Sequence, residues 1–251
     1  MAHVAALWRH PIKSHGREAL AEVNLTAGQT MPWDRHWAVM HDGAKVDTDN
    51  PEWAICKNFM IGTGTPGLAG IWTDLDEATR TVTLTHVDLG THIFQPDNPD
   101  DWAGFMMWVL PLCPADKRQP KGIYTVAGRG MTDTSEPTIS IMNTASHAAV
   151  ADRLGQPLEQ ERWRGNIWLD GLQAWDELSW IGKTIRIGEA ELTVIEPIQR
   201  CMHTTANPHT GRRDADTLGA LRDGWGHQDF GVYAVVTKTG KLALNDTAEV
   251  I

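Results

Sequence analysis

The sequence is short of cysteine, of tyrosine and of basic charge, and each shortage argues against a class of protein. Its three cysteines, Cys56, Cys113 and Cys201, are odd in number and far apart in a chain of 251 residues. They form no CxxC pair and no Cys/His cluster, which argues against a closed zinc site, an iron–sulfur cluster and a disulfide-stapled secreted fold. A reducing compartment is expected, and with it a cytoplasmic protein. Lys and Arg number 22 against 32 Asp and Glu, a formal charge of −10. That balance offers no excess of cations to nucleic-acid phosphates, although a local basic pocket remains compatible with it.

The eleven histidines are scattered, with no HxH or HExxH pattern to hold a metal. A P-loop lysine is missing. Gly62-Thr63-Gly64-Thr65-Pro66-Gly67 fails as a dinucleotide turn because Pro66 and the absence of a following helical pattern spoil it. No haem, iron–sulfur or nicotinamide site is therefore expected. Nor is there a long apolar run: Met1 to Ser14 is broken by Arg9, His10, Pro11 and Lys13, so it reads as neither signal peptide nor membrane span. No internal repeat occurs.

What is present is an ordinary globular composition, 41% hydrophobic and 22% charged. Twelve tryptophans stand against two tyrosines, a ratio that points to packing by large rings. Short apolar runs bounded by turn signals dominate the first half. His3–Arg9, apolar at positions 4 to 7, and Glu22–Leu25 read as strands. Asp34–Met40, with Trp37 and Val39 alternating, reads as a strand closing at an Asp42-Gly43 hairpin, and Ile71–Thr73 with Thr81–Thr85 as a second hairpin. Further on, Asn143 is a good N-cap and Gly155 a C′ residue for a helix between them. Arg162–Asp170 reads as a strand on which Arg164 and Asn166 share a face. Thr184–Gly188 with Glu189–Ile195, and Val232–Val236 with Lys241–Leu244, read as hairpins. A helix is expected over Asp214–Leu221. The fold expected is α+β and predominantly β: a small barrel-like N-terminal domain over 1–125, then a β-barrel domain over 126–251 with few short helices.

One stretch carries chemistry. Glu196 to Arg212 places Cys201 directly after Arg200, followed by Thr204, Thr205 and an Asn207-Pro208-His209-Thr210-Gly211 turn. A thiolate is a soft metal ligand, and an adjacent cation favours it. A metal-free Cys/His transferase, with His203 or His209 as base, is the natural competitor. Elsewhere, Lys13, Ser14 and Arg35 supply at strand ends the charge, hydroxyl and fork that a phosphate clamp requires. A strand running into a helix N-terminus at Asn143-Thr144 leaves N–H groups suited to an anion.

Together these stretches resemble the MOSC family, the molybdenum cofactor sulfurase C-terminal domain, in the amidoxime-reducing branch that also carries the MOSC N-terminal β-barrel domain. His10-Pro11-Ile12-Lys13-Ser14 is similar to the family's Tyr-Pro-Val-Lys-Ser, and Asp34-Arg35-His36-Trp37 to its Asp-Arg-x-Trp. Arg162-Trp163-Arg164-Gly165-Asn166-Ile167 is similar to its Arg-Phe-Arg-Pro-Asn-Ile. Arg200-Cys201 through Gly211 follows its Arg-Cys-x-x-Thr-Thr-x-(Asp/Asn)-Pro-x-Thr-Gly signature. The resemblance implies that Cys201 ligates the molybdenum of a molybdopterin cofactor. It implies that Lys13, Ser14, Arg35, Arg164 and Asn166 hold the pterin and its phosphate, with Asn143, Thr144, Arg200 and Thr204 also at the cofactor. Ile198 stands where many relatives have a second cysteine, and Gly165 where they have proline. The activity implied is reduction of small N-hydroxylated compounds, such as amidoximes or hydroxylamines. With no cysteine-rich ferredoxin segment in the chain, electrons would come from a separate ferredoxin-, flavin- or cytochrome-type protein. A non-catalytic cofactor or sulfur carrier using Cys201 is the alternative. No nucleic acid and no membrane enters either reading.

Overall fold

Strands that bury every second side chain need an apolar interior on one side only, and a sheet meets that need by closing on itself. The computed structural model describes residues 1–251 and holds fifteen strands and three α-helices. The first half contains β1 (Ala2–Arg9), β2 (Glu18–Leu20), β3 (Glu22–Leu25), β4 (Trp37–His41), β5 (Trp72–Asp76), β6 (Thr81–His86), β7 (Gly90–Phe94), α1 (Trp102–Val109) and β8 (Pro120–Thr125). The second contains β9 (Thr138–Asn143), α2 (Thr144–Leu154), β10 (Ile167–Asp170), β11 (Thr184–Ile187), β12 (Ala190–Gln199), α3 (Thr217–Trp225), β13 (Asp229–Lys238), β14 (Gly240–Ala243) and β15 (Thr247–Val250). No helix is long and apolar enough to cross a membrane.

Seven strands close a barrel in the order β10-β9-β13-β12-β11-β15-β1, with β1 returning to pair β10. Only β9 and β10 are parallel neighbours in it, and α2 makes the crossover that such a pair requires. The barrel is filled by Val4, Leu7, Ile141, Leu169, Ile187, Val194 and Val232 among others, nearly all fully buried. Each such side chain contributes roughly 1.5–3 kcal/mol relative to exposure. The first strand of the chain thus completes a wall otherwise built from the last half.

The rest of the first half, apart from Val23, Leu25 and Met31, which add to the barrel core, lies outside this barrel. It packs the three-stranded β5-β6-β7 sheet, the β4-β8 ribbon and α1 around a second core that includes Trp37, Val39, Leu84, Phe94 and Phe105. The tryptophans serve as packing rings: Trp37, Trp163 and Trp168 are fully buried, with Trp163 stacked on Phe230 at 3.9 Å.

Helix α2 follows the expected capping: the Asn143 side chain accepts from the Ala145 N–H, and Gly155 closes it at φ 67°. Helix α3 starts at Thr217, three residues later than expected, because the Asp216 carboxylate caps the Gly219 N–H. Two expected hairpins are replaced by distant pairings. Strand β4 pairs β8 rather than folding back at Gly43, and β14 pairs β3 rather than β13. Local turn signals there lost to partners that cover an edge from far along the chain. Arg162 to Asn166 is not strand: Gln160–Trp163 is a 3-10 turn and Arg164 takes the left-handed conformation at φ 49°. Arg164 and Asn166 consequently do not share a face.

Candidate functional site

Where β12 leaves the barrel, residues 196–204 meet Ser140 of β9, Tyr233 of β13, the Lys13 turn and the segment 56–63. They enclose a cavity of ≈ 420 Å³. Cys201, just past the end of β12, is exposed to it. Met202–Thr205 then coils into a 3-10 turn, whose residues Thr204 and Thr205 return their hydroxyls to the carbonyls of Cys201 (3.1 Å) and Met202 (2.8 Å). The Thr204 hydroxyl also meets that of Thr217 at 2.6 Å. The repeated threonine is therefore a local lock on the cysteine loop.

Arg200 fixes the same loop from behind. Its guanidinium donates to the carbonyls of Phe230 and Trp163, both at 2.8 Å, and lies beside the Met142 sulfur. Downstream, Asn207 accepts from the N–H groups of His209 (2.9 Å) and Thr210 (3.2 Å), and Gly211 at φ 67° packs on Gly67 so closely that a side chain there would overlap backbone.

Facing Cys201 are cations delivered by three separate turns. The stretches 10–13 and 34–37 are zipped together by Arg35 N–H to His10 C=O (2.7 Å), Trp37 N–H to Pro11 C=O (3.1 Å) and Lys13 N–H to Trp37 C=O (2.7 Å). Buried Asp34 accepts from the His10 N–H at 2.8 Å and pairs with the Arg35 guanidinium. Burial alone would raise the Asp34 carboxyl, but Arg35 and the His10 hydrogen bonds outweigh it and hold the group well below the carboxylate range. Lys13 donates to the Met131 carbonyl at 2.8 Å and to the Asp133 carboxylate. Arg35 donates in turn to the Arg164 carbonyl at 3.1 Å.

Arg164 differs from its neighbours. One guanidinium nitrogen donates to the Gly16 carbonyl at 2.9 Å, while its Nη2 is buried without any partner. Burial first, then the nearby Arg35 charge, lowers its pKa to about 9, so the site holds cations at a cost. Ser14, Arg35 and Arg164 all have left-handed backbones, at φ 63°, 54° and 49°. Non-glycine residues adopt that region at a cost of roughly 1–2 kcal/mol each, and three of them on one cavity wall is a concentration typical of a functional site.

Of the residues singled out in the sequence, Lys13, Ser14, Arg35, Arg164, Arg200, Cys201 and Thr204 line this one cavity. Asn166, Asn143 and Thr144 do not. The Asn166 side chain bonds the Ser140 hydroxyl at 2.8 Å and the Trp8 carbonyl at 3.2 Å, stitching β9 to β1 at the barrel seam. Asn143 is buried against Glu177 at 2.7 Å, and Thr144 donates to Asp170 at 2.6 Å. His209 lies tilted beside Trp72, ring centroids 6.1 Å apart, and is not a cavity residue, whereas His203 is. Burial, then the Arg164 charge, holds His203 neutral far below the usual histidine range. The hydrogen-bond partner of the Cys201 sulfur is the Thr63 hydroxyl, at 3.3 Å, and neither histidine.

Sequence reasoning missed Asp133, Thr63, Cys56 and Tyr233, which also line the cavity. Asp133 lies 120 residues from the Lys13 it pairs with, and Thr63 lies 138 from Cys201, so no spacing signal could have joined them.

Comparisons with known proteins identify the family. The model of the MOSC domain matches residues 129–249, and that of the MOSC N-terminal beta barrel domain matches residues 1–100. Mitochondrial amidoxime-reducing component 1 of Mus musculus is 24% identical over 234 residues, covering 84% of this chain and 67% of that protein. Its Homo sapiens counterpart is 24% identical over 277 residues, covering 97% and 81%. The molybdenum cofactor sulfurase of Drosophila ananassae is 30% identical over 130 residues, covering 47% of this chain but only 17% of that larger protein. The chain is a member of the MOSC family, with the MOSC N-terminal beta barrel domain preceding the MOSC domain.

Proposed function

We propose that this protein binds a molybdenum cofactor with Cys201 as the protein's ligand to the metal. In this reading it reduces N-hydroxylated compounds such as amidoximes and hydroxylamines, with electrons from a separate ferredoxin-, flavin- or cytochrome-type protein. The observation that carries the reading is the pairing, in one cavity, of an exposed thiol with the buried, unpartnered Nη2 of Arg164. An orphaned guanidinium nitrogen is a donor waiting for an acceptor, and a planar cation suits a phosphate or a pterin carbonyl.

The donor set fits the group. No three His, Cys, Asp or Glu side chains converge, so a metal held at Cys201 would take one soft ligand from the protein and need its remaining ligands from a cofactor. Lys13, Arg35 and Arg164 would receive the anionic end, and Ser14 lines the same cavity. Arg200 and Thr204 act one step back: they keep the 201–205 turn in place and so orient the Cys201 sulfur. When bound, the cofactor supplies the two-electron redox chemistry, while the protein supplies ligation, orientation and electrostatics. The names of the mouse and human relatives support the amidoxime-reducing direction.

The test is metal and pterin analysis of native and Cys201→Ser protein from a cofactor-competent host, followed by turnover of benzamidoxime with an artificial reductant. Native protein is expected to contain molybdenum and pterin and to turn over, and Cys201→Ser to lose its metal. Native protein without either component sinks the reading. A non-catalytic carrier is the second reading, favoured by the exposed position of Cys201. Metal without turnover would select it.

A further inference from the structure

Thr63 belongs to neither of the stretches that frame the cysteine loop, yet its hydroxyl donates to the Cys201 sulfur at 3.3 Å. The contact is built from both sides. The segment 61–65 is a tight turn, closed by the N–H groups of Gly64 and Thr65 on the Ile61 carbonyl at 3.1 and 3.0 Å. Met60 anchors it to β4 through the Val39 carbonyl at 2.7 Å. Gly62 lies flat on the His203 ring, where a Cβ would come within 1.7 Å of Nδ1. Arg213 ties the turn to the cysteine loop: Nη2 donates to the Thr63 carbonyl at 2.8 Å, and Nη1 reaches the Met202 carbonyl and the Thr205 hydroxyl.

A threonine at the surface has water available to it, so a hydroxyl held on sulfur by a turn, a glycine contact and an arginine strap is a placed donor. Sulfur is a weak acceptor when neutral and a better one when it carries charge. A donor on a metal-bound thiolate draws charge from the sulfur, weakens its donation to the metal and favours the reduced, more electron-rich state.

We infer that Thr63 is a positioning residue that sets the reduction potential of the metal centre through its hydrogen bond to the Cys201 sulfur. The inference rests on the cofactor reading above. In place of the threonine, valine keeps the shape and removes only the donor. Thr63→Val should keep its molybdenum content, shift the metal's midpoint potential to a more negative value, and change the thiolate-to-metal absorption bands. Thr63→Ser restores the hydroxyl and should restore both.

The measurement is redox titration followed by absorption and electron paramagnetic resonance on native, Thr63→Val and Thr63→Ser holoprotein, with metal analysis of each. Thr63 is exposed and its side chain fills no core, so the variants are expected to fold. Native protein containing molybdenum, with identical potentials and spectra in native and Thr63→Val, overturns this inference and leaves the cofactor reading intact. Native protein without molybdenum overturns both. A shift in Thr63→Val that Thr63→Ser does not reverse also overturns it, because the hydroxyl would not be the cause.

Discussion

Lys13 and Asp133, 120 residues apart, form an ion pair on the cavity wall, and the same ammonium donates to the Met131 carbonyl at 2.8 Å. The pair joins the turn after β1 to the loop before β9. It also sets an internal carboxylate among the cations expected to receive a phosphate. Enclosure by the cavity would raise the Asp133 carboxyl, although its side chain stays partly open to solvent, and Lys13, Arg35 and Arg164 together outweigh it and hold the group well below the carboxylate range. In the absence of an anionic ligand, Asp133 neutralises part of the cluster.

Asp133→Asn should therefore loosen the cofactor-free protein and sharpen its response to anions. The Asp133 side chain is 56% exposed, so screening limits the expected loss to about 1 kcal/mol at low ionic strength. Inorganic phosphate should raise the melting temperature of the variant more than that of the native protein. Thermal unfolding of both across a phosphate series is the check, and an equal response would mean that Lys13, Arg35 and Arg164 do not form one anion site.

Arg164 and Arg200 line the same cavity but should fail in opposite ways. Arg200→Ala leaves the carbonyls of Trp163 and Phe230 without a donor, at about 1–3 kcal/mol for each group left unsatisfied. Arg164→Gln instead removes a crowded cation, whose pKa lies at about 9, and breaks one bond to Gly16. Denaturant unfolding of the cofactor-free proteins should show Arg200→Ala clearly destabilised and Arg164→Gln close to native or above it. Metal analysis of Arg164→Gln should show loss of cofactor all the same. If Arg164→Gln keeps a full complement, its free nitrogen is not a cofactor donor.

Stability should fall as pH drops through the histidine range. His10 and His15 are fully buried, and burial above all lowers them to about 3 and about 4. Unfolded histidines titrate near 6.5, so between that pH and the folded values the unfolded chain binds more protons and gains. Each such imidazole removes about 1.4 kcal/mol per pH unit below its unfolded pKa. The stability it contributes is present above that pKa and lost as pH falls. Asp34, whose carboxyl is depressed, adds a loss only lower down, within the carboxylate range. Urea unfolding from neutral pH down to about pH 5 should show this slope, and His15→Gln should flatten it. An unchanged slope would mean that His15 is already protonated in the folded protein.

How much of this was legible depended on whether a feature lay in one stretch of chain. The cysteine loop was readable because Arg200, Cys201, Thr204 and Asn207 fall within a dozen residues of one another, and Thr204 and Asn207 bond backbone groups two or three residues away. The helix between Asn143 and Gly155 was readable because both caps are local. Helix α1 was not: Trp102–Val109 is apolar along most of its length, with Phe105 and Val109 its only buried residues, and it shows no polar face to mark a period. Asn166 was found with the right motif, yet its amide is spent on Ser140 and Trp8, because a polar side chain at a barrel seam satisfies backbone groups first. Asp133 and Thr63 are single residues brought in by tertiary closure, which no spacing encodes.

The turn over the cysteine offers a test of that closure with a built-in control. At Gly62 an added Cβ would lie 1.7 Å from Nδ1 and 2.5 Å from Cε1 of the buried His203 ring, so either the ring or the turn must move. The ring is 8% exposed and sits against the loop that carries Cys201, so relief comes from displacing the turn and with it Thr63. Overpacking of this kind costs roughly 1–3 kcal/mol. At Gly64, two residues along the same turn, the nearest atom to an added Cβ is the Ile61 carbonyl oxygen at 3.9 Å. Gly62→Ala should lower denaturant stability by that amount and reduce molybdenum retention, while Gly64→Ala changes neither. If the two variants behave alike, the 61–65 turn does not bear on the cysteine loop in the way its packing on His203 requires.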